Sequence, residues 1–409
     1  MEKVISTEQI PIKLWLDDIE EGALEQAKNL ANLPFAFKHI AIMPDAHQGF
    51  GMPIGGVLAT KKVIVPDAVG VDIGCGMCAV KTSLTEIDTD TLKKIMGEIR
   101  KVVPVGFKHH EEAQDENLIP LPHRDVIDET GKSGYAMKMV HQYEIIEQEY
   151  DSALKQLGTL GGGNHFIEIQ KGSDGFIWIM VHSGSRNLGL KVANHYNKLA
   201  QELNAKWHSS VPKQWELAFL PMDSKEGQNY IKEMNYCVDF ALANRKLMMK
   251  RICSIFRKWI NDNHRYNETN IQFEDMINIA HNYARMENHF GQNVMVHRKG
   301  ATLATKDTVG IIPGSQGTKS YIVKGLGNPD SFNSCSHGAG RKMSRRQAVE
   351  TLNLEEEKEK MKDVIHSVRN KADLDEAPGS YKDINIVMEN QKDLVEVLVE
   401  LKPLAVIKG

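Results

Sequence analysis

The sequence predicts a single α+β domain in which sheets of short strands surround a metal-centred cleft and a helical segment is inserted. Short apolar runs between glycine turns occupy both the first and the last part of the chain, whereas about residues 187–290 carry mostly helical spacing. Four glycine-rich loops carry aspartate, cysteine or histidine beside strand-like runs. Because no Pro/Gly/Ser-rich linker separates the helical insertion, residues 1–409 are predicted to form one domain.

Composition limits the class of protein. The chain has 409 residues, of which 41% are hydrophobic and 25% are charged, as is typical of a soluble globular protein. Its formal net charge of −4 argues against binding nucleic acid over the whole surface but is compatible with a local basic channel. Neither a secretory signal nor an apolar run of about 18 residues is recognisable, so we expect no membrane span. Five scattered cysteines favour a reducing compartment, and we expect a cytoplasmic protein.

The first half alternates strands and helices. Helical spacing predicts helices at 15–32, 88–103 and 136–157. Apolar runs predict strands at 38–43, 57–60, 63–65, 166–169 and 176–181, the last two paired around a glycine-containing turn. Residues 105–133 are predicted to form a polar loop.

The second half begins with the helical insertion and returns to strands. Helices are predicted at 193–207, 227–259 and 273–285, and strands at 294–296, 302–305, 309–312 and 320–324. A charged amphipathic helix is predicted over 343–371 and another helix over 383–401.

A metal site is predicted from the glycine-rich loops. Asp72 and Cys75 stand three residues apart in a tight turn, where a carboxylate and a thiolate can share one divalent ion or lie between two. Histidines 165, 182 and 337 occur in similar loops at the ends of strand-like runs, and this repetition favours a common site over isolated structural histidines. Such a mixed donor set suits Mn²⁺, Zn²⁺, Co²⁺ or Fe²⁺. A zinc knuckle or redox pair at Cys75 and Cys78 is less favoured, because no second C-x-x-C is present.

Three glycine-rich loops are also suited to phosphate. The segments 161–164, 313–317 and 337–341 match none of the common nucleotide fingerprints, yet exposed backbone N–H groups in such loops bind anions. Arg186 and Arg341 lie within the loops, whereas Arg345 and Arg346 fit an exposed helix start equally well. An imidazole beside a metal and a phosphate loop indicates phosphoryl or nucleotidyl transfer through a phosphoramidate. Metal-assisted phosphoester hydrolysis is the alternative, and the residue types do not choose between them.

Six motifs in order resemble the RtcB family of RNA ligases over nearly the whole chain. They are Asp72–Gly76, Gly162–Glu168, His182–Arg186, His281–Tyr283, Pro313–Ser315 and Cys335–Arg341. The resemblance implies an enzyme that joins an RNA 2′,3′-cyclic phosphate or 3′-phosphate end to a 5′-hydroxyl end, using GTP and two Mn²⁺ ions. It also implies an archease-like activator protein as a partner.

The resemblance assigns roles to individual residues. His337 is implied as the nucleophile that forms a histidine–GMP intermediate, and Asp45 as the carboxylate that steers it. Positions matching the ligands of the two Mn²⁺ ions, with Cys75 bridging, are Asp72, Cys75, His165, His182 and His281. Positions matching guanylate contacts are Asn164, Phe166, Glu168, Asn282, Pro313, Gly314, Ser315, Gln316, Ser320, Gly338, Ala339, Gly340 and Lys408. Arg186, Arg341 and Arg345 match phosphate or RNA contacts.

One departure and two rival functions accompany this hypothesis. Cys78 is predicted as a spare thiol near the metal turn and an oxidation liability. The first rival is a 3′-phosphate guanylyltransferase or cyclic phosphodiesterase with weak sealing activity. The second is an RNA-binding accessory protein without catalysis, against which the complete set of Asp72, Cys75, four histidines and Lys408 weighs.

Overall fold

The protein is described here by a computed structural model that covers residues 1, 3–119, 143–261 and 270–409. The strands are β1 Lys3–Ile5, β2 Ile12–Leu14, β3 Ala36–His47, β4 Ile54–Thr60, β5 Val63–Ile64, β6 Gly76–Lys81, β7 Phe166–Gly172, β8 Ile177–Ser183, β9 Leu220–Pro221, β10 Ile277–Ala280, β11 Asn282–His289, β12 Gln292–Lys299, β13 Ala301–Leu303, β14 Val309–Ile312, β15 Ser320–Gly325, β16 Ser334–Ser336 and β17 Val395–Lys408. The α-helices are α1 Glu21–Ala31, α2 Thr89–Val102, α3 Glu144–Gln156, α4 Arg186–Lys206, α5 Lys225–Asn261, α6 Arg345–Thr351, α7 Leu354–Lys360 and α8 Ile384–Glu389. Short 3₁₀ helices include Lys371–Glu376 and Pro378–Ser380.

Two large sheets carry most of the strands. The first has the order β1-β2-β3-β4-β12-β11 and the second the order β10-β6-β8-β7-β17-β15-β14. All neighbours in both sheets are antiparallel except β2 and β3. One mixed and one antiparallel sheet with helices packed on them make this an α+β protein, which confirms the predicted fold class.

The two sheets share a hydrophobic core, and helices cover their other faces. Met43 and Val57 of the first sheet belong to the same buried cluster as Ile312 and Val323 of the second. Helix α1 packs on the first sheet, and α2 and α5 pack on the second, where Ile252 of α5 joins the cluster of β7 and β8. This arrangement fixes the strand ends of the second sheet relative to the first. Within the described residues, no helix is both long and apolar enough to cross a membrane.

Several predicted elements are confirmed, with small changes at their ends. The predicted helix 88–103 is α2, which begins at Thr89 after Asp88 accepts backbone hydrogen bonds as its N-cap. The predicted strand pair is β7 and β8, and the long helix of the insertion is α5. The first helix starts at Glu21 rather than 15. Residues 120–142 lie outside the described residues, and with them the second part of the predicted loop 105–133 and the start of the helix 136–157.

The helix predicted over 273–285 is wrong. This segment forms β10 and β11, which pair with β6 and β12 respectively. The inserted segment 187–290 therefore ends in strands, although α4 and α5 supply its helical part. Pairing with the distant strand β6 and with the following strand β12 overrides the local helical spacing, as tertiary context commonly does.

Two further helix predictions near the C-terminus are wrong. The segment 343–371 contains only α6 and α7, because Asn353 accepts hydrogen bonds from the amides of Glu355 and Glu356 and starts a new helix there. The segment 383–401 contains only α8, after which β17 begins at Val395. Strand β17 fills the gap between β7 and β15, where pairing on both sides stabilises an extended backbone.

Candidate active site

The predicted metal-binding side chains meet at the ends of four adjacent strands of the second sheet. Asp72 and Cys75 precede β6, His165 precedes β7, His182 lies near the end of β8, and His281 follows β10. In the antiparallel registers Met77 lies opposite His182, and Phe166 lies opposite the same histidine from the other side. Because β10, β6, β8 and β7 are adjacent and antiparallel, the starts of β6 and β7 lie beside the ends of β8 and β10. The strand order thus brings together residues that are 209 positions apart, since 281 − 72 = 209.

The ligand atoms form two overlapping groups. Cys75, His182 and His281 make one group and Asp72, Cys75 and His165 the other, with the ligand atoms of each within 4.8 Å of one another. The Cys75 Sγ atom lies 3.4 Å from Nε2 of His165 and 3.3 Å from Nε2 of His182. Cys75 is the residue common to both groups. A mixed oxygen, sulfur and nitrogen donor set of this kind fits Mn²⁺, Fe²⁺, Co²⁺ or Zn²⁺.

The histidine rings are oriented by backbone carbonyls. Nδ1 of His165 lies 2.9 Å from the carbonyl oxygen of Leu160, and Nδ1 of His182 lies 3.1 Å from that of Asn164. An Nδ1–H that donates to a carbonyl leaves the Nε2 lone pair free for a metal, which is a common outer-shell arrangement. The orientation of these two rings therefore supports metal binding independently of their proximity.

Burial sets the protonation of the same groups. It lowers the pKa of His182 and His281 well below the ordinary value, which keeps both imidazoles neutral. It raises the pKa of the Cys75 thiol, so a metal must displace a proton there on binding. Burial also acts to raise the pKa of Asp72, yet the hydrogen bond and charge of His165 hold that pKa at about 2. An ionised carboxylate and neutral imidazoles are the forms that coordinate metals.

His337 is held by a buried aspartate from the other sheet. Nδ1 of His337 lies 2.6 Å from Oδ2 of Asp45, and the same oxygen accepts the backbone N–H groups of His337 and Gly338 at 3.0 and 3.2 Å. Burial acts to raise the pKa of Asp45, but the charge and hydrogen bond of His337, together with the charges of His47 and Lys382, lower that pKa overall. A proton on Nδ1 leaves Nε2 as a nucleophilic lone pair. The His337 ring lies edge-on to His281, with 4.8 Å between ring centroids, so this nitrogen is close to the metal-binding group.

Two clefts meet at His337. The first, which we call the Glu168 cleft, has a volume of about 200 Å³ and a lining that includes Phe166, Glu168, Pro313–Gln316, Gly338–Arg341, Glu376, Tyr381 and Lys408. The second, the Cys75 cleft, has a volume of about 870 Å³ and a lining that includes Phe50, Asp72, Cys75, His281, Asn282, Lys299 and Lys342–Arg345. Asn164, His337, Arg341 and Arg345 line both.

Glu376 and Tyr381 are among the residues of the Glu168 cleft that the sequence analysis missed. The buried Glu376 carboxylate accepts from Arg341 at 3.0 Å, Arg345 at 3.1 Å and Lys408 at 3.2 Å, and from the hydroxyl of Tyr381. Glu376 lies between the predicted helices 343–371 and 383–401, and no local pattern marks it. Its role is visible only once the chain has brought the three cations around it.

Glu168 differs from Glu376 in its surroundings. Its Oε2 accepts one hydrogen bond, of 2.6 Å, from Gln170. Burial raises the pKa of Glu168 to about 8, although the charge of Lys408 opposes the shift. A buried carboxyl in a cleft with a strongly raised pKa is a candidate ligand-binding group.

The remaining predicted residues shape the loops or lie beside the metal-binding groups. Asn282 donates to the carbonyl oxygen of Asp72 and accepts from Gly300 N–H, which ties two loops together. Ser320 is buried, and its Oγ accepts from Gly314 N–H at 3.1 Å, so it supports the 313–316 loop from behind. Gly340 has φ +73°, and a Cβ there would lie 2.1 Å from the Asp45 carbonyl oxygen. Only glycine permits this close approach.

The side chains of Arg186 and Arg345 pack against the loop 161–163. The Arg186 guanidinium occupies the position that a Cβ on Gly161 would fill, and its charge acts on Asp72 and Cys75. Arg186 also has φ +61°, a strained conformation for a residue with a side chain, and such strain clusters at functional sites. Arg345 approaches Gly163 in the same way.

The expectation for Cys78 is corrected by the structure. Cys78 is fully buried and belongs to the hydrophobic cluster of α2 and α5, on the opposite face of β6 from Met77. Burial raises the pKa of its thiol to about 12. Since oxidation requires an accessible thiolate, Cys78 is a core residue and not an exposed redox liability.

Comparisons with known proteins agree with this geometry. A family model described as tRNA-splicing ligase RtcB matches residues 26–409. The chain is 39% identical to the RNA-splicing ligase RtcB of Escherichia coli K12, with all of the chain and 99% of the relative aligned. It is 33% identical to the tRNA-splicing ligase RtcB of Nanoarchaeum equitans over 98% of the chain and 95% of that protein. The site, the family model and these full-length relatives together show that the chain belongs to the RtcB family of RNA-splicing ligases.

Proposed function

We propose that this enzyme joins an RNA 3′-phosphate or 2′,3′-cyclic phosphate end to a 5′-hydroxyl end, using GTP and Mn²⁺. The observation that carries the proposal is the position of His337, held by Asp45 where the Cys75 cleft meets the Glu168 cleft. One cleft offers metal ligands, and the other offers cations, glycine-rich backbone and a buried carboxyl. A nucleophile between them suits transfer of a nucleotide from one side to a phosphate end on the other.

In the first step His337 attacks GTP. Nε2 forms a bond to the α-phosphorus, pyrophosphate leaves, and histidine–GMP results. Asp45 holds Nδ1–H and stabilises the positive charge that develops on the ring. The metal ligands are Asp72, Cys75, His165, His182 and His281, and a bound Mn²⁺ supplies charge neutralisation at the phosphates.

The Glu168 cleft accounts for the choice of guanine. In its ionised form Glu168 accepts hydrogen bonds from N1–H and the 2-amino group of the base, while Phe166 offers an apolar surface. The loops 313–316 and 338–340 provide backbone N–H groups, and Lys408 and Arg341 provide positive charge. Ser320 holds the 313–316 loop through Gly314 N–H, while Asn164 lines both clefts and Asn282 joins the loop of Asp72 to Gly300.

In the later steps GMP passes to RNA. An oxygen of the RNA 3′-phosphate attacks the phosphorus of histidine–GMP, which frees the imidazole. The 5′-hydroxyl oxygen of the second end then attacks the RNA phosphate, and GMP leaves as the new phosphodiester forms. A 2′,3′-cyclic end is first opened by water to the 3′-phosphate. Arg186 and Arg345 are the proposed contacts to RNA phosphates.

The deciding experiment is incubation with GTP labelled at the α-phosphate and Mn²⁺, followed by denaturing electrophoresis. We expect a covalent label that is lost in acid and stable in base, and that is transferred on addition of RNA with a 3′-phosphate. A second RNA with a 5′-hydroxyl end then distinguishes sealing from capping, because accumulation of the guanylylated end supports the guanylyltransferase rival. A folded, Mn²⁺-loaded protein that takes up no label contradicts the proposal.

A further inference from the structure

Two consecutive polar residues lie buried in the middle of the longest helix. Asn244 and Arg245 belong to α5, which is 37 residues long, and both are 0% exposed. A guanidinium removed from water is costly unless its N–H groups are hydrogen-bonded. The bonds of these two residues lead to the backbone of the loops that carry the metal-binding side chains.

Arg245 connects three of these segments. Its Nη1 donates to the carbonyl oxygen of Gly74 at 2.9 Å and to that of Ser183 at 2.7 Å, and its Nε donates to Oδ1 of Asn278 at 2.7 Å. Gly74 directly precedes Cys75, Ser183 directly follows His182, and Asn278 lies three residues before His281. One guanidinium therefore ties together the three segments that supply the Cys75, His182 and His281 group.

Asn244 acts in the same way on the segment of His165. Its Oδ1 accepts the Gly158 N–H at 2.7 Å, and its Nδ2 donates to the Thr159 carbonyl oxygen at 3.2 Å and the Gly184 carbonyl oxygen at 3.1 Å. The next carbonyl after Thr159, that of Leu160, is the one that orients His165. Asn244 thus holds the backbone segment whose Leu160 carbonyl orients the His165 ring.

The loop that carries Asp72 and Cys75 also packs directly against α5 at Gly74. Gly74 has φ +75°, and a Cβ there would lie 2.8 Å from Cα of Val238, 2.9 Å from the Cys237 carbonyl oxygen and 3.0 Å from Cβ of Ala241. Cys237, Ala241 and Arg245 recur every four residues and so lie on one face of the helix. Backbone packing and the hydrogen bonds of Arg245 act on the same loop at the same place.

We propose that Arg245, assisted by Asn244, is a positioning residue that sets the spacing of the metal ligands Cys75, His182 and His281. The inference deepens the proposed function, because it rests on metal binding by this cluster. Arg245 touches no ligand atom in these bonds. It acts through the backbone on either side of the ligands, as outer-shell partners do in other metal sites.

The test is metal binding by Arg245→Met, which keeps an unbranched apolar stem in the core and removes all three hydrogen bonds. Metal-free protein is titrated with Mn²⁺ and with Co²⁺, whose thiolate charge-transfer and d–d absorption report the coordination of Cys75. We expect about a tenfold to hundredfold loss of affinity and an altered Co²⁺ spectrum. Arg245→Lys is expected to recover only part of the loss, because a single ammonium cannot reproduce the fork that reaches three oxygens.

The control is Ile252→Ala on the same helix, which removes a fully buried side chain that packs in the α2 and α5 core. It should lower the melting temperature while leaving the Co²⁺ spectrum and the affinity of the folded protein unchanged. An equal loss of affinity in this control overturns the positioning role, as does a folded Arg245→Met protein with wild-type affinity and spectrum.

A second variant keeps the test decisive if Arg245→Met does not fold. Asn278→Ala removes one of the three bonds from a half-buried position. It should weaken the ion held with His281 several-fold and leave the ion held by Asp72 and His165 unchanged, and unchanged binding of both ions overturns the inference. A wild-type chain that binds neither ion overturns the proposed metal chemistry itself, which is a different failure.

Discussion

The two clefts that meet at His337 are built from opposite kinds of chemistry. The metal-ligand group of the Cys75 cleft brings the thiol of Cys75 and the imidazoles of His182 and His281 within hydrogen-bonding distance of their neighbours, and burial keeps these groups uncharged. The Glu168 cleft gathers Arg341, Arg345 and Lys408 around a single ionised carboxylate, Glu376. The first arrangement is completed by a cation, whereas the second has positive charge in excess and attracts an anion.

The contrast extends to the two glutamates of the Glu168 cleft. The charges of Lys408, Arg345 and Arg341 overcome the effect of burial on Glu376 and lower its pKa, whereas burial dominates at Glu168 and raises its pKa to about 8. Glu376 is therefore a structural anion whose hydrogen bonds are already made. Glu168 has unused acceptor capacity, and it gains most from a ligand that donates hydrogen bonds.

The largest effect is expected where both clefts depend on one residue. His337→Ala should abolish labelling by GTP, since it removes the imidazole that Asp45 holds where the two clefts meet. Electrophoresis after incubation with α-labelled GTP measures this, and circular dichroism verifies the fold. Labelling that persists in the variant would show that His337 is not the nucleophile.

Cys75→Ala distinguishes the role of the Cys75 cleft from that of the Glu168 cleft. It should reduce Mn²⁺-dependent labelling about a hundredfold, because the residue common to both ligand groups is lost. GMP binding in the Glu168 cleft should persist, as measured by calorimetry. The matched control is Cys78→Ala, which removes a thiol three residues away but on the core side of the strand and should retain labelling. Full activity of Cys75→Ala would show that the thiolate is dispensable.

The raised pKa of Glu168 predicts a pH dependence of guanine binding. Below its pKa of about 8 the carboxyl is protonated and accepts poorly, so affinity for GMP should rise with pH. Between about pH 7 and about pH 8.5 the ionised fraction grows about eightfold, and the affinity of metal-free protein should follow it. Glu168→Gln should bind more weakly and lose this dependence, and inosine monophosphate, which lacks the 2-amino group, should show a smaller gain. A flat profile in the wild-type protein would contradict the assigned role.

Lys408→Met is expected to have the smallest effect. Glu376 keeps Arg341, Arg345 and Tyr381 as partners, so the cleft should stay intact and the KM for GTP should rise several-fold with little change in kcat. Lys402→Met, at an exposed position on the same strand, is the control. An unchanged KM would show that the positive charge at the chain end is not used by the nucleotide.

The helix predictions that failed lie beside the site. The segment 273–285 forms strands that pair with β6 and β12, and that pairing delivers His281 to the metal ligands. The segment 383–401 ends in β17, which carries Lys408 to Glu376. Local spacing predicted helices in both cases, because it contains no information about a distant strand that needs a partner.

By itself the sequence determined the fold class, the glycine loops and the residue types of the site. Motifs such as Asp72–Gly76 and Cys335–Arg341 are local, and the chemistry of a carboxylate, a thiolate or an imidazole can be judged within a few residues. Only the tertiary structure decided that Glu376 gathers three cations, that Cys78 is buried in the core, and that Arg245 holds the backbone of three segments. Those facts depend on contacts between residues far apart in the chain, where burial and charge are set by the folded neighbours and not by the sequence on either side.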